Sequence, residues 1–392
     1  MNQLSDRLNR LSPSATLAMS QKSSELKAQG VDVINLSVGE PDFNTPDHIK
    51  AAAVKAVEEN YSRYSPVPGY PALREAISAK LKNENGLDYA PAQILCSNGA
   101  KQSVCNAIMA LVNAGDEVII PAPYWVSYPQ MVKLAEGEPV IVEAGIEQDF
   151  KITPEQLEAA ITPKTRALIL CSPSNPTGSV YSKEELAGLA RILAQHERVI
   201  VIADEIYEHI NYIGKHESIA QFAEIKDRVV IVNGVSKAYA MTGWRIGYML
   251  CPVKLMDPIM RLSFYNIACP TTFIQSAGIA ALEGDEGPSK AMLAEYRRRR
   301  DFMVEALNAM PGCRCRKPDG AFYIFVNIAG TGMDSDGFCR TMIDEAGVSM
   351  TPGHVFGTMG DGFVRVSYAN SMENLQRAVI LMREVLEKRA AR

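Results

Sequence analysis

Short runs of apolar residues alternate with helix-like stretches through the middle of the chain. The runs are rich in β-branched residues and lack a period-two alternation of apolar and polar positions, which is typical of strands buried on both faces of a parallel sheet. They are QILCSN (93–98), DEVIIPA (116–122), PVIVEA (139–144), RALILCS (166–172), RVIVIAD (198–204), RVVIVNG (228–234) and RIGYMLC (245–251). Helical spacing separates several of them, at 101–115, 154–161 and 182–195. We therefore predict an α/β fold whose mostly parallel central sheet carries helices on both faces.

The last hundred residues follow a different pattern. A charged, Ala/Met-rich stretch over 289–309 predicts one long helix, and 320–328 and 362–369 predict strands. Residues 372–390 predict a closing helix with an apolar stripe on one face. These elements indicate a smaller α+β domain, which we expect to comprise residues 1–47 and 289–392.

The intervening residues 48–288 are expected to form the large domain, with a ligand site in the cleft between the two. A formal net charge of -5 argues against nucleic acid or an anionic membrane as the main partner. The chain has no apolar run of 18 residues, and its first 20 residues lack the apolar core of a secretory signal. The cysteines mostly lie in apolar stretches without metal-ligand spacing, so we expect a reduced, cytoplasmic protein without a metal site.

Polar side chains follow three of the predicted strands at the point where each strand ends. Asn175 follows the strand at 166–172, Asp204 and Tyr207 follow the next, and Lys237 follows the strand at 228–234. Ligands of open parallel sheets bind outside the carboxyl ends of the strands. We therefore expect these side chains to meet at one edge of the sheet.

A lysine amine in such a place condenses with an aldehyde, and pyridoxal phosphate is the cofactor that supplies one. Its pyridine nitrogen is an electron sink when protonated, a state that the carboxylate of Asp204 would stabilise. Asn175 and Tyr207 offer an amide N–H and a phenol O–H to its ionised ring oxygen. The residue set therefore predicts Lys237 as the attachment point of pyridoxal 5′-phosphate.

The phosphate of this cofactor needs backbone N–H groups, a hydroxyl and a guanidinium. The stretch SNGAKQS (97–103) opens a predicted helix, whose N-terminus favours anions. Ser236 and Arg245 supply the hydroxyl and the guanidinium. Each part of the cofactor thus has a candidate partner in the sequence.

The sequence resembles class I pyridoxal-phosphate aminotransferases of fold type I, and within them the bacterial aspartate aminotransferase subgroup. GVSKAYAMTGWRIG (234–247) satisfies the cofactor-lysine pattern of that family. Five further motifs occur in the family's order, namely SVGEPDFNTP (37–46), PYWVSYPQMV (123–132), SPSNPTG (172–178), DEIYEH (204–209) and GAFY (320–323). Six ordered motifs over nearly the whole chain are far more specific than one lysine pattern.

The resemblance implies a role for each matched residue. It makes Lys237 the Schiff-base lysine and proton carrier, Asp204 the partner of the pyridinium, and Asn175 and Tyr207 the partners of the ring oxygen. The remaining cofactor contacts that it implies are a stacking aromatic ring and phosphate ligands, supplied by Trp125, Ser236, Arg245 and the turn Gly99, Ala100 and Lys101.

For the substrate, the resemblance implies that Arg365 grips the α-carboxylate by a bidentate fork, beside the backbone of Gly39 and near Trp125 and Asn175. In this subgroup Lys101, with Ser14 and Thr16 of the N-terminal segment, would bind the distal carboxylate. Tyr64 resembles the tyrosine that reaches the phosphate of the neighbouring subunit, so a homodimer with shared active sites is implied.

Several of these residues have simpler interpretations. Asp204 alone would be read as a helix cap, Trp125 as a core aromatic, and Arg365 as a surface arginine of an alternating strand. Lys101 alone is typical of a solvated lysine at the start of a helix, although the helix dipole disfavours a cation there.

The predicted activity is the transfer of the amino group of L-aspartate to 2-oxoglutarate by a ping-pong mechanism, with prephenate as a second candidate oxo acid. An aminotransferase for alanine or aromatic amino acids would use the same site, but its substrates would have no distal carboxylate for Lys101 to bind. A carbon–sulfur lyase of the same fold would share Lys237 and Asp204. A non-catalytic ligand-sensing domain is the alternative from a different class, and a bound cofactor that leaves substrate unconsumed would favour it.

Overall fold

The structure is a computed structural model that describes residues 4–13, 21, 23–26 and 28–391. Its strands, numbered in chain order, are β1 (Ile34–Asn35), β2 (Ile94–Ser97), β3 (Glu117–Ala122), β4 (Glu138–Glu143), β5 (Thr165–Cys171), β6 (Ile200–Asp204), β7 (Val229–Gly234), β8 (Gly247–Leu250), β9 (Tyr323–Asn327), β10 (Val348–Ser349), β11 (Thr351–Pro352) and β12 (Phe363–Ser367). Its α-helices are α1 (Asp6–Asn9), α2 (Asp47–Glu58), α3 (Pro71–Lys80), α4 (Ala100–Leu111), α5 (Ser127–Leu134), α6 (Pro154–Ala160), α7 (Lys183–Ala194), α8 (Val253–Ile267), α9 (Thr272–Glu283), α10 (Gly287–Asn308), α11 (Ser335–Ala346) and α12 (Met372–Ala390).

A seven-stranded sheet forms the centre of the described chain, in the order β2-β8-β7-β6-β5-β3-β4. Strands β3 to β7 pair in parallel, and β8 alone runs antiparallel to its neighbours β2 and β7. The carboxyl ends of β2, β5, β6 and β7 and the amino end of β8 therefore share one edge of the sheet. All seven strands predicted from the apolar runs are present.

Helices cover both faces of this sheet, as the sequence predicts. Apolar residues of α4, α5 and α8 form a buried cluster with one face. Those of α3, α6 and α7 form a second cluster with the other face. The strands β5, β6 and β7 are almost wholly buried, which explains why they read as continuous apolar runs. No helix among the described residues is long and apolar enough to cross a membrane.

The C-terminal part of the chain forms a separate antiparallel sheet in the order β11-β12-β9. The N-terminal strand β1 pairs in parallel with β10 of this part. A third buried cluster joins β1 to α10, α11 and α12, and the predicted apolar stripe of α12 faces it. The expected alternation of buried and exposed residues along β12 is not found, because all five of its residues are buried.

Helices α2 and α10, at the two expected boundaries, belong to different buried clusters. Helix α2, which starts at Asp47, packs its buried face against α9 and the segment after β7, and α10 packs with the C-terminal sheet instead. We propose on this packing that residues 48–288 form one domain and that 1–47 with 289–392 form the other.

Helix α4 is shorter than predicted, because the backbone N–H of Asn113 donates to the Asp116 carboxylate (2.9 Å) in a turn.

Candidate active site

A cavity of about 460 Å³ lies where the carboxyl ends of the central strands face the C-terminal sheet. Most of the site residues predicted from the sequence line it, and they come from both parts of the chain. They are Gly39, Ala100, Lys101, Trp125, Asn175, Asp204, Tyr207, Ser236, Lys237, Arg245 and Arg365. The cavity lies between the central sheet and the C-terminal sheet, and the strand ends bring the predicted residues into it.

Lys237 lies on the turn after β7 and is partly buried. Its Nζ donates a hydrogen bond to the backbone oxygen of Gly39, at 2.6 Å. Burial lowers the pKa of the Lys237 ammonium to about 8; Glu40 opposes this shift, and the positive charges of Arg365 and Arg245 add to it. A larger share of this amine is therefore neutral near pH 7 than of an ordinary lysine, which suits a nucleophile.

Asp204 is the last residue of β6, and its carboxylate is buried in the floor of the cavity. The Tyr128 hydroxyl donates to its Oδ2 at 2.6 Å, and the Ile206 N–H donates to its Oδ1 at 3.3 Å. Burial raises the pKa of Asp204 to about 6, against the lowering effect of these two hydrogen bonds. Turns rather than a helix follow Asp204, so its interpretation as a helix cap is wrong.

The segment after Asp204 is anchored by a buried ion pair between Glu208 and Lys80 of α3. Burial alone would disfavour the charged carboxylate, but the Lys80 ammonium holds the pKa of Glu208 below its usual range. The Asn233 amide, at the end of β7, donates to Glu208 at 2.8 Å. The network joins the turn that carries Tyr207 to the turn that carries Lys237, which fixes their separation.

Arg365 reaches the cavity from β12 and is buried, so its interpretation as a surface arginine is wrong. Its hydrogen-bond acceptors are neutral, namely Asn175 Oδ1 (2.9 Å), the Ser37 backbone oxygen (2.7 Å) and Thr351 Oγ1 (3.4 Å). Its Nε has no hydrogen-bond partner in the described structure although it is buried. A buried guanidinium with an unused donor and no bonded anion could bind a carboxylate.

The turn between β2 and α4 is built around the guanidinium of Arg245. Gly99 has φ +82°, and a Cβ on it would lie 2.0 Å from a terminal nitrogen of Arg245. A Cβ on Gly247 would lie 2.2 Å from the backbone nitrogen of Ala100. The positive φ at Gly99 and the backbone contact at Gly247 both favour glycine. A terminal nitrogen of Arg245 donates to the backbone oxygen of Asn98 at 3.1 Å, which holds the guanidinium beside the α4 N-terminus. Together with the Ser236 hydroxyl, which also lines the cavity, they could hold an anion.

Comparison with known proteins agrees with this geometry. The sequence model of aminotransferase class I and II matches residues 31–380. The chain belongs to this family. It is 47% identical to the aspartate aminotransferase of Geobacillus stearothermophilus over 99% of this chain and 100% of that protein. It is 43% identical to the aspartate/prephenate aminotransferase of Nitrosomonas europaea, over 96% of this chain and 98% of that one.

Solved structures of aminotransferases share the whole fold. The aspartate aminotransferase of Rhizobium meliloti superposes with a TM-score of 0.95 at 39% identity, over 99% of both chains. The aromatic aminotransferase of Pyrococcus horikoshii superposes with a TM-score of 0.89 at 42% identity, over 94% of this chain and 99% of that one. The predicted fold type I architecture is therefore confirmed.

Two described residues of the predicted site, Gly99 and Tyr64, are not among those that line the cavity. Ser14 and Thr16 lie outside the residues that the structure describes. Tyr64 is 89% exposed, on a loop before α3. Its predicted role needs a second subunit, so it stays a prediction.

Lys101 and Trp125 lie together at the mouth of the cavity. The Lys101 Nζ is 4.9 Å from the centre of the Trp125 ring, within the range of a cation–π contact. Desolvation by the surrounding protein lowers the pKa of Lys101, and the charge of Arg245 lowers it further. Trp125 is partly buried, with its ring edge-on to Tyr128 at 5.3 Å between centres.

The sequence reasoning missed several residues that line the cavity. Tyr128 and Tyr323 lie inside the quoted motifs PYWVSYPQMV and GAFY but were given no role. The spacing of Tyr128, three residues after Trp125 at the start of α5, was the available signal. Glu40 and Cys171 also line the cavity. Glu40 lies inside the quoted motif SVGEPDFNTP but was given no role, and no motif quoted above includes Cys171.

Proposed function

We propose that this aminotransferase binds pyridoxal 5′-phosphate and transfers the amino group of L-aspartate to 2-oxoglutarate, which yields oxaloacetate and L-glutamate. One observation carries the proposal: a single cavity holds the Lys237 amine, the buried Asp204 carboxylate and the unpaired donor of Arg365. The cavity lining carries the four cations Lys101, Lys237, Arg245 and Arg365 against the two carboxylates Glu40 and Asp204. Such a balance favours anionic ligands, as a phosphorylated cofactor and dicarboxylate substrates are.

The residues present fit this cofactor. The Arg245 guanidinium, which packs against Gly99, and the α4 N-terminus would supply the phosphate donors. A side chain at Gly99 or Gly247 would fill the space beside them. Asn175 accepts from Arg365 through Oδ1, which leaves its N–H₂ group to donate to the ring oxygen beside the Tyr207 hydroxyl. Trp125 would lie against the ring. When bound, pyridoxal phosphate supplies the carbonyl carbon that carries the amino group and a ring that accepts an electron pair.

Three residues of the chain have separate roles in the proposed reaction. Arg365 would hold the substrate α-carboxylate, with its Nε and terminal nitrogens forming the fork. Lys237 Nζ would take the proton from the substrate Cα and return it, because its lowered pKa lets it exchange protons near neutral pH. Asp204 would keep a proton on the ring nitrogen, held in place by Tyr128. The substrates enter in turn, so the proposed kinetics are ping-pong.

The proposed dicarboxylate specificity is supported by the names of the relatives and by Lys101. Curated relatives are named aspartate or aspartate/prephenate aminotransferase, and a Thermus thermophilus aspartate aminotransferase, 41% identical with a TM-score of 0.93, was solved with maleate, a dicarboxylate. We propose Lys101, with Ser14 and Thr16, as the site of the distal carboxylate. Prephenate is the second oxo acid that we propose.

The proposed assembly is a homodimer in which Tyr64 of each subunit reaches the other active site. The exposure of Tyr64, a large aromatic residue, supports it. A cytoplasmic location is also part of the proposal, since all eight cysteines are unpaired, as in reducing compartments.

The visible absorbance spectrum tests the proposal directly. The purified protein, supplied with pyridoxal phosphate and freed of excess, should carry a yellow band that L-aspartate alone converts to the shorter-wavelength amine form. Conversion by phenylalanine but not by aspartate would favour an aromatic aminotransferase, which the Pyrococcus horikoshii structure makes the second candidate. Release of pyruvate and ammonia from cystathionine would indicate a carbon–sulfur lyase. A band that no amino acid alters would indicate a ligand-sensing domain, and a protein that never acquires a band would refute the cofactor.

Lys101→Ala should raise the KM for L-aspartate roughly 10–100-fold, the loss expected for one charge-assisted hydrogen bond. The KM for L-alanine should change less than about threefold, because alanine has no distal carboxylate. Lys183→Ala is the matched control, since Lys183 is an exposed lysine in the first turn of α7. Steady-state kinetics with both donors measure the effect. An equal rise for both donors would remove Lys101 from substrate recognition.

A further inference from the structure

Tyr323, the first residue of β9, lies deep in the candidate active site without an assigned role. It is 1% exposed, and its hydroxyl lies 2.8 Å from the hydroxyl of Tyr207, which is 4% exposed. The two rings meet edge-on, with centres 5.8 Å apart. Both tyrosines line the cavity, one from each part of the chain.

Close contacts on several sides fix the position of the Tyr323 hydroxyl. The Arg365 guanidinium lies 4.5 Å from the centre of its ring. A Cβ on Gly39 would lie 2.6 Å from the hydroxyl oxygen, so the Gly39 backbone packs directly against it. The backbone oxygen of Gly39 already accepts from Lys237. The Tyr207 hydroxyl is therefore the partner that the Tyr323 hydroxyl has in the described structure.

The proton count of the two hydroxyls decides which one donates. Each phenol has one proton to donate, and the 2.8 Å contact uses one of the two. If Tyr207 gave its proton to Tyr323, it would have none left for the cofactor's ring oxygen. If Tyr323 is the donor, the Tyr207 proton is free to point into the cavity.

We propose that Tyr323 is a positioning residue for Tyr207, donating to its hydroxyl so that the Tyr207 proton is directed at the ring oxygen of the cofactor. This inference rests on the proposed binding of pyridoxal phosphate at Lys237. Chains of hydrogen bonds in a buried site polarise one another, so the Tyr323 donor makes Tyr207 a stronger donor. Tyr323 on β9 would thereby strengthen a hydrogen bond to a cofactor that residues of the central sheet hold.

A stronger donor to the ring oxygen has a measurable consequence. That oxygen is most negative when the nitrogen linking Lys237 to the cofactor has lost its proton, so a donor stabilises the deprotonated form more. Loss of the Tyr323 hydroxyl should therefore raise the pH at which the visible band titrates. One hydrogen bond of ordinary net strength corresponds to a shift of roughly 0.5–1 pH unit.

The test is a pH titration of the visible band in the cofactor-loaded wild type and in Tyr323→Phe, Tyr207→Phe and the double variant. We expect an upward shift for Tyr323→Phe, a larger one for Tyr207→Phe, and no further shift when Tyr323→Phe is added to Tyr207→Phe. Tyr368→Phe is the matched control, because it removes a buried hydroxyl that bonds to Ala321 and Tyr212 outside the cavity. Its midpoint should equal that of the wild type.

The following outcomes would contradict the proposed role of Tyr323. An unshifted Tyr323→Phe, or shifts of the two single variants that add fully in the double variant, would overturn the role of Tyr323 while leaving the proposed function intact. A wild type that acquires no titrating band with pyridoxal phosphate would overturn both. Tyr323→Leu separates the ring from the hydroxyl: the same shift should appear, together with a KM for aspartate raised about tenfold by the loss of the ring beneath Arg365.

Discussion

Lys237→Ala is expected to lower the turnover of aspartate by about 10⁴-fold or more. That is the upper end of the range for one general acid–base group, and in the proposed mechanism the same nitrogen is also the nucleophile that would hold the cofactor. The cavity offers no second amine in its place, since the other amine, Lys101, lies at its mouth beside Trp125. Single-turnover and steady-state rates with aspartate and 2-oxoglutarate measure the loss.

The variant should nevertheless keep the fold and bind the cofactor without a covalent bond. The anion site around Arg245 and the α4 N-terminus does not depend on the lysine, so absorbance of the cofactor should survive gel filtration in part. Small primary amines added to the solution should restore some activity by carrying the proton. Lys226→Ala, which changes a partly buried lysine that rests on Tyr89 outside the cavity lining, is the control for a general effect of charge. Activity within about tenfold of the wild type in Lys237→Ala would refute the assignment.

The attachment of the cofactor to the wild-type lysine should also depend on pH. With a pKa of about 8, roughly one Lys237 in ten is neutral at pH 7, and most are neutral at pH 9. The rate of covalent loading should therefore rise through pH 8 and then level off.

The sequence predicted the central sheet well because strands that are buried on both faces form continuous apolar runs. Strands such as β5 and β6 are apolar at nearly every position, and the polar residues that follow them mark the edge where ligands bind. Asp204, Lys237 and Asn175 could be found by that rule alone. The same reasoning failed for the strand β12, because Arg365 is a buried charged residue rather than an exposed position of an alternating strand.

The contacts that tune the site could not be predicted in this way. The Tyr128 hydroxyl meets Asp204 across 76 residues, and Tyr207 meets Tyr323 across 116. Both contacts depend on how helices and domains pack, and no local pattern encodes that packing. The ion pair of Lys80 and Glu208 spans 128 residues and looks like two surface charges in the sequence.

Asp204→Asn is expected to lower turnover by about 10²–10³-fold, the usual cost of losing one preorganised electrostatic contact at a reacting group. The amide has nearly the same shape as the carboxylate, and its one oxygen can still accept from Tyr128 at the cost of the longer bond from the Ile206 N–H, so the cavity should keep its form. It cannot, however, carry the negative charge that keeps a proton on the ring nitrogen. Steady-state rates with aspartate measure the loss, and Asp227→Asn, which changes an exposed carboxylate, is the control. A turnover equal to that of the wild type would refute the proposed pyridinium partner.

The same variant should be more stable than the wild type when both are free of cofactor. The folded-state pKa of Asp204 is raised from 3.8 to about 6, so the folded protein holds this proton more tightly than the unfolded chain does. The resulting destabilisation is absent below pH 4, grows as the pH rises through the interval between the two values, and is complete above pH 6. It amounts to about 3 kcal/mol, an upper limit for what the amide can recover.

Thermal unfolding of the two cofactor-free proteins at pH 7 and at pH 4 separates this effect from any other. The unfolding temperature of Asp204→Asn should exceed that of the wild type at pH 7, and the difference should nearly vanish at pH 4. A gain in stability joined to a loss of turnover is the behaviour of a charge that is buried for catalysis, because a structural carboxylate would weaken the fold when neutralised. A variant less stable than the wild type at pH 7 would show that Asp204 contributes to the fold itself.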